Sequence, residues 1–257
     1  FSFSHTLHRV VMIVLVCFSV CHTSVIAQDD VSSTGKVQQI FDYFLQYRHQ
    51  NKINKALEVL SEAAKIAENN EDAKLLLDTS HTYARLFLEE GDRETAIFYL
   101  DRASILLRDL SYPFGEAFHK YLEAAVRFDE GNNFQSLKLL EEARTLSNNR
   151  NLGNNVLLLE GYIFTNIEKF DDANTNLNAL IVNSDDKERP YLATKANIQL
   201  ALISREKEDF EDAVIHSKAA LELSQKHKYF KEIRVSNELL SSIYESLGRF
   251  DQSLFYK

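Results

Sequence analysis

Small side chains recur along this chain at a nearly constant interval, and this pattern restricts the fold more than any other feature of the sequence. One series consists of Ala56, Ala96, Ser136, Ala173, Ala213 and Ser253, separated by 40, 40, 37, 40 and 40 residues. Two further series keep these intervals: Phe44, Ala84, Ala124, Gly161, Ala201 and Ser241, and Ala63, Ala103, Ala143, Leu180 and Ala220. Self-similarity with a period of about 20 to 50 residues is typical of stacked arrays. We therefore predict a repeat protein, in which chain length counts repeats and not domains.

Each repeat is predicted to contain two amphipathic helices, because apolar residues return at spacings of three and four. Gly91 marks the break between the two helices of the second repeat, where glycine can take a positive φ without a Cβ clash. The same phase in the other repeats is occupied by Asn51, Gly131, Glu168, Glu208 and Gly248. With seven Gly and two Pro in 257 residues, the chain has few helix breakers, and the predicted fold class is all-α.

The residues around these breaks resemble the tetratricopeptide repeat, a helix-turn-helix unit of about 34 residues. The matching residues are Ala84, Phe87, Gly91, Ala96 and Ala103 in repeat two, Gly161, Phe164, Phe170 and Ala173 in repeat four, and Ser241, Tyr244, Gly248, Phe250 and Ser253 in repeat six. The resemblance covers residues 37 to 257 and implies a right-handed superhelix (α-solenoid) of six helix-turn-helix repeats, the last incomplete. The longer period resembles that of bacterial regulators and kinesin light chains.

Two places are expected to depart from the regular pattern. In repeat three, Phe128 and Phe134 fit only if one residue is lost between the helices, so we expect a shorter turn there. The chain stops at Lys257, within the second helix of repeat six, and we expect a further segment beyond it.

The first 27 residues differ from the rest of the chain, since they contain no Asp or Glu and a single Arg, Arg9. The apolar run over 10–21 is shorter than the roughly 20 residues of a membrane-spanning helix but suits a secretory signal. We predict a signal peptide over 1–27 with cleavage before Gln28, a disordered linker over 28–36 and a TPR-like repeat domain over 37–257. An uncleaved anchor is the alternative. The protein is therefore expected to be exported, to the periplasm or the extracytoplasmic side of the inner membrane.

Composition and motifs argue against several functions. Both cysteines, Cys17 and Cys21, lie in the predicted signal, so no disulfide or thiolate chemistry is expected after cleavage. The formal charge of −9 opposes nucleic-acid binding. The sequence lacks a phosphate-binding Gly-rich loop, a Gly-x-Ser-x-Gly elbow and a His-Glu-x-x-His helix. Adjacent acids such as Glu89-Glu90 are interpreted as solvated helix surface. We predict no enzymatic activity, no cofactor and no metal.

The resemblance implies that the first helix of every pair lines a concave groove. The residues predicted to bind a protein or peptide there are Arg48, His81, Arg85, Tyr121, Tyr162, Asn166 and Arg205. Further inward positions include Asn155 and Lys195. We expect Arg48 and Arg85 to meet carboxylates of the ligand and the two tyrosines to pack on its apolar side chains. The alternative is that these residues only solvate an unused surface.

These features predict a non-enzymatic protein- or peptide-binding scaffold, the exported sensory or interaction region of a larger bacterial signal-transduction protein. A freestanding periplasmic assembly or adaptor protein made of the repeats alone is the alternative. Contact with a membrane is expected only through the signal segment or through a span that follows the chain.

Overall fold

The computed structural model describes residues 35–182 and 189–257, which form helices and no strand. The helices are α1 (35–49), α2 (Ile53–Asn69), α3 (Ala73–Glu89), α4 (Arg93–Leu107), α5 (Pro113–Asp129), α6 (Asn133–Leu146), α7 (Arg150–Asn166), α8 (Phe170–Val182), α9 (Arg189–Glu206), α10 (Phe210–His227), α11 (Phe230–Ser246) and α12 (Phe250–Phe255). The predicted signal peptide, 1–27, and most of the predicted linker, 28–34, lie outside the described residues. Residues 35 and 36, the end of that linker, are helical and belong to α1.

The helices stack in the order of the sequence, which confirms the predicted all-α repeat solenoid. Helix α3 packs on α4, α5 on α6, α7 on α8 and α9 on α10, and each pair also contacts the helix that follows it. The apolar clusters follow the same rule. One joins α5, α6 and α7 around Leu140 and Ile163, and another joins α7, α8 and α9 around Leu177 and Ile203. Each repeat therefore buries its apolar face against the next one.

All members of the three small-residue series are buried, as their spacing predicts. Small side chains at these positions allow neighbouring helix backbones to approach closely. At Gly161, for example, an added Cβ would lie only 2.6 Å from Cδ2 of Leu177 on the neighbouring helix. At Ser136 the extra hydroxyl is satisfied because it donates a hydrogen bond to the carbonyl oxygen of Ala124 at 2.7 Å.

The six predicted break positions all adopt left-handed backbone conformations. The φ values are 55° at Asn51, 79° at Gly91, 78° at Gly131, 59° at Glu168, 60° at Glu208 and 69° at Gly248. Glycine accepts this conformation freely, whereas an L-residue with a longer side chain is strained by about 1–2 kcal/mol. The prediction that this phase ends the first helix of each repeat is confirmed, and the two glutamates carry the strain.

A side-chain cap directly follows several residues with positive φ, including Glu71 between the first two repeats. The side chains of Asp72, Asp92, Asn132 and Asp209 accept hydrogen bonds from the backbone N–H groups three residues further on, at 2.9 to 3.2 Å. Each of the four comes immediately after a residue with positive φ. One helix therefore ends and the next begins within about three residues.

The single interval of 37 residues has a different origin from the predicted one. The turn between α5 and α6 is as long as the turn between α3 and α4, so the predicted loss of a residue there is wrong. Instead, α6 has 14 residues where α4 has 15. The connection to the next helix is also two residues shorter, because Asn149 caps α7 at once by accepting hydrogen bonds from the backbone of Asn151 and Leu152.

The first helices of the pairs form the concave face, and the two ends of this face touch. Nζ of Lys231, at the start of α11, lies 3.0 Å from the carbonyl oxygen of Glu89 and 3.3 Å from Oε1 of Glu90, at the end of α3. The ring of His49, at the end of α1, lies 4.7 Å from the rings of both Tyr191 and Tyr229. In an open array each repeat contacts only its neighbours. Here the first two repeats also contact the last two.

Candidate functional site

Helices α3, α5, α7 and α9 surround a cavity of about 250 Å³ on the concave face. The polar residues that line it are Arg85, Glu89, Tyr121, Asp129, Asn155, Tyr162, Tyr191 and Lys195, and its apolar residues are Leu88, Leu122, Ala125, Phe128, Leu158, Leu159 and Leu192. These side chains meet because they recur at related phases of neighbouring repeats. Asn155 and Lys195, for example, are one period apart.

Glu89 is the central anion of the cavity and is shared by two guanidinium groups. Its Oε2 lies 2.9 Å from Nε of Arg48, and its Oε1 lies 3.3 Å from Nε of Arg85. Burial alone would raise the pKa of Glu89, but the charges of Arg48, Lys195 and Arg85 outweigh burial and lower it to about 2. Nη2 of Arg85 also donates to Oδ1 of Asn155 at 3.3 Å. Glu89 is therefore ionised and paired, and its interpretation as a solvated surface acid is wrong.

Lys195, on α9, packs on the same Tyr191 ring as Arg48 but differs from the two arginines. Its Nζ is 5.0 Å from the centre of the Tyr191 ring, and within the described ranges it makes no hydrogen bond and no ion pair. Burial disfavours the ammonium, but Tyr191, Tyr162 and the carboxylates of Glu89 and Glu232 outweigh burial, and the pKa of Lys195 is raised above its usual value. The side chain is therefore a cation at neutral pH.

Three phenols complete the polar lining. Burial raises the pKa of Tyr121 and Tyr191 and raises that of Tyr162 to about 12, so all three hydroxyls are protonated at neutral pH. As far as the structure describes the chain, none of these hydroxyls donates to another residue. The cavity thus combines donor groups that the protein leaves unused with a mostly aliphatic wall.

The edge of the cavity is closed by the contacts between the first and last repeats. The guanidinium carbon of Arg48 lies 4.7 Å from the centre of the Tyr191 ring, on which Lys195 also packs. Burial, followed by the nearby charge of Arg48, lowers the pKa of His49 to about 3, so this histidine is neutral. A neutral imidazole between two tyrosine rings leaves Arg48 and Lys195 as the cations at this edge.

Of the seven residues predicted to bind a ligand, three line the cavity: Arg85, Tyr121 and Tyr162. Arg48 lies at its edge, but its side chain is only 4% exposed and is paired with Glu89, so it does not present a free guanidinium to a partner. Asn166 and Arg205 lie near the ends of α7 and α9 and do not line the cavity. Asn166 is exposed and donates to Oδ1 of Asn133 at 3.4 Å.

His81 does not reach the concave surface. It is 1% exposed, and its Nε2 lies 3.2 Å from Nδ1 of His119 on α5. Its ring packs against Phe118 with the centroids 5.6 Å apart. The reason is the position of its side chain between α3 and α5, where neighbouring first helices touch. His81 is a core residue, and its prediction as a groove residue is wrong.

The sequence reasoning missed Glu89 and Tyr191 as site residues. Glu89 belongs to a pair of acids next to a turn, where solvated carboxylates are common, and nothing near it in sequence reveals Arg48 as its partner. Tyr191 follows Pro190 at the edge of a polar connection, which is a weak signal for a buried ring.

Among the described residues there is no group of three His, Cys, Asp or Glu side chains that could hold a metal. In the same part of the chain, no helix has the length and apolar character needed to cross a bilayer.

Comparison with known proteins places this chain among helical-repeat proteins by fold alone. No protein-family model and no curated protein matches the sequence. A similar solved structure is the crystal structure of BtubC (BKLC) from P. vanneervenii, with a TM-score of 0.56 and 16% sequence identity. The match covers 82% of this chain and 87% of that chain. The similarity therefore extends over nearly the whole array, at an identity that supports the architecture and not a function.

Proposed function

We propose that this protein is a non-enzymatic binding scaffold of the tetratricopeptide type, which recognises a protein or peptide partner on its concave face. The observation that carries this proposal is the cavity between α3, α5, α7 and α9, to which four consecutive repeats contribute. Arg85, Tyr121 and Tyr162 belong to its lining. Binding sites typically combine an apolar wall with a few converging polar groups, and this lining has that composition.

The concave face can be tested by selecting peptides from a displayed random library and measuring their affinity for the full chain. We expect Tyr162→Ala, in the cavity, and Arg205→Glu, at the end of α9, to weaken the selected peptides by about tenfold or more. The matched control is Phe98→Ala on α4, a residue that is 62% exposed and does not line the cavity. Equal affinity for all variants, at unchanged helical content, would contradict the concave-face proposal.

We further propose that the scaffold is the exported sensory or interaction region of a bacterial signal-transduction protein. The support is residues 1–27, with their apolar run and lack of acids. Fused to a phosphatase that is active only outside the cytoplasm, residues 1–36 should give activity, and the sequence of the released product should begin at Gln28. Activity retained in the membrane fraction with the segment intact would favour the uncleaved anchor. A cytoplasmic, inactive fusion would contradict export.

A further inference from the structure

We propose that the cavity between α3, α5, α7 and α9 is a binding site for a small organic carboxylate, with the Lys195 ammonium as its counter-ion. The inference rests on the proposed function in one respect, that the concave face is a binding face. It adds a ligand class that a protein-binding scaffold does not require, and it would give the sensory region a chemical signal to sense.

The first argument is the charge distribution around the cavity. Glu89 pairs through one oxygen with Arg48 and through the other with Arg85, at 2.9 and 3.3 Å. Lys195, on α9, has no carboxylate within ion-pair distance in the part of the chain that the structure describes, and the nearby Glu89 already pairs with both arginines. Three cations, Arg48, Arg85 and Lys195, therefore act on the single carboxylate of Glu89. A carboxylate in the cavity would give the Lys195 ammonium a direct ion pair.

The second argument is the set of hydrogen-bond donors. A carboxylate has two oxygens that together accept about four hydrogen bonds. The lining offers the Lys195 ammonium and the hydroxyls of Tyr121, Tyr162 and Tyr191, which donate to no other described residue. A neutral ligand would satisfy the phenols but would leave the ammonium without a direct ion pair.

The third argument is size and wall chemistry. A cavity of about 250 Å³ lies just below the usual range of roughly 300 to 1,000 Å³ for sites of drug-sized molecules. Its leucines and Phe128 suit the apolar body of a small ligand, and its tyrosine rings suit an aromatic one. The volume is too small for a helix, whose diameter with side chains is about 10 Å. We therefore infer a small carboxylate with an apolar or aromatic body.

Benzoate is the probe for this site, with benzyl alcohol as its uncharged counterpart, and calorimetric titration of the full chain without peptide is the measurement. We expect benzoate to bind in the millimolar range or tighter, and benzyl alcohol to bind at least about tenfold more weakly. Lys195→Met should weaken benzoate by a similar factor, and Lys195→Arg should retain binding. The matched control is Lys218→Met on α10, which removes an exposed lysine whose Nζ is 5.9 Å from the centre of the Tyr244 ring.

A second measurement is the melting temperature with and without benzoate. Benzoate should raise the melting temperature of the natural protein and of Lys218→Met, because it binds the folded state, but it should not raise that of Lys195→Met. An equal rise in all three proteins would overturn the inference. No binding of benzoate, equal binding of benzyl alcohol, or unchanged binding by Lys195→Met would each overturn it as well. Since no peptide is present, these outcomes are independent of the peptide selection.

Discussion

At Glu168 and Glu208 the backbone has the same left-handed conformation that glycine adopts at Gly91 and Gly131. The turn therefore imposes the conformation, and the residue type only changes its cost. A glutamate at this position loses free energy to contacts between its Cβ and the backbone, which glycine avoids. These two turns are consequently less stable than the turns of the same array that have glycine at this position.

We predict that Glu208→Gly raises the free energy of unfolding by about 0.5–1 kcal/mol, because glycine removes the strain of the left-handed turn. Equilibrium unfolding in urea measures the change. The control is Glu222→Gly in the exposed middle of α10, which should lower the free energy of unfolding by about 1 kcal/mol. If both substitutions destabilise the protein equally, the turn is not strained.

The buried histidine pair predicts a dependence of stability on pH. Burial, followed by the proximity of His119, lowers the pKa of His81 from 6.5 to about 3. The folded protein keeps His81 neutral while the unfolded chain binds a proton below about pH 6.5. The stability contributed by His81 is therefore lost as pH falls from 6.5 toward 3, by roughly 1 kcal/mol per pH unit.

The measurement compares the free energy of unfolding of the natural protein and of His81→Gln between about pH 7 and pH 4. The free energy of unfolding of His81→Gln, relative to that of the natural protein, should increase as pH falls. Asp78, whose pKa burial raises to about 6, gives an opposite trend in the same window, but it is present in both proteins and cancels. A difference that does not change with pH would contradict the prediction.

At the scale of single helices, α7 contains two glycines in opposite environments. A Cβ on Gly161 would lie 2.6 Å from Cδ2 of the fully buried Leu177, whereas a Cβ on Gly153 would meet nothing within 4 Å. Helix propensity favours alanine equally at both sites, so packing alone separates them.

We predict that Gly161→Ala lowers the free energy of unfolding by about 1–3 kcal/mol, because Leu177 has no free space to move into. Gly153→Ala in the same helix should raise it by up to about 1 kcal/mol. Urea unfolding of the two variants gives both values. Equal effects would show that α7 and α8 are not in close contact at Gly161.

The helices and their order follow from the sequence because their determinants are local. Positions such as Ala84 and Ala213 repeat at the period of the unit, and each turn needs one left-handed residue. The same phases identified Arg85, Tyr121 and Tyr162 as inward residues. The same reasoning wrongly predicted His81 as a groove residue. Its position in the repeat is equivalent to an inward position, but contacts between neighbouring first helices bury it.

The partners across the cavity could not be predicted from the sequence. Whether Arg48 meets Glu89, or His49 meets Tyr229, depends on a curvature that accumulates over several repeats. Each repeat adds a small rotation that arises from packing, and no residue pattern encodes the sum. Glu89 therefore resembled any other exposed acid until the surrounding repeats were in place.

For the whole molecule, the closing contacts should govern overall dimensions. We predict that Lys231→Glu, which places a carboxylate against Glu89 and Glu90, separates the ends of the concave face and increases the radius of gyration measured by small-angle X-ray scattering. Arg234→Glu is the control, since this exposed residue pairs with Glu238 within α11 and not across the face. An unchanged scattering curve for Lys231→Glu would mean that the remaining contacts hold the ends together.

The contact between Lys231 and Glu89 also restricts how this chain can evolve. Solenoids commonly lengthen or shorten by copying or losing single units, because each unit interacts only with its neighbours. A unit gained between α3 and α11 would move the two groups apart by about 10 Å for each added helix, and a unit lost would leave no room for both. The number of repeats in this interval is therefore tied to the contact between Lys231 and Glu89.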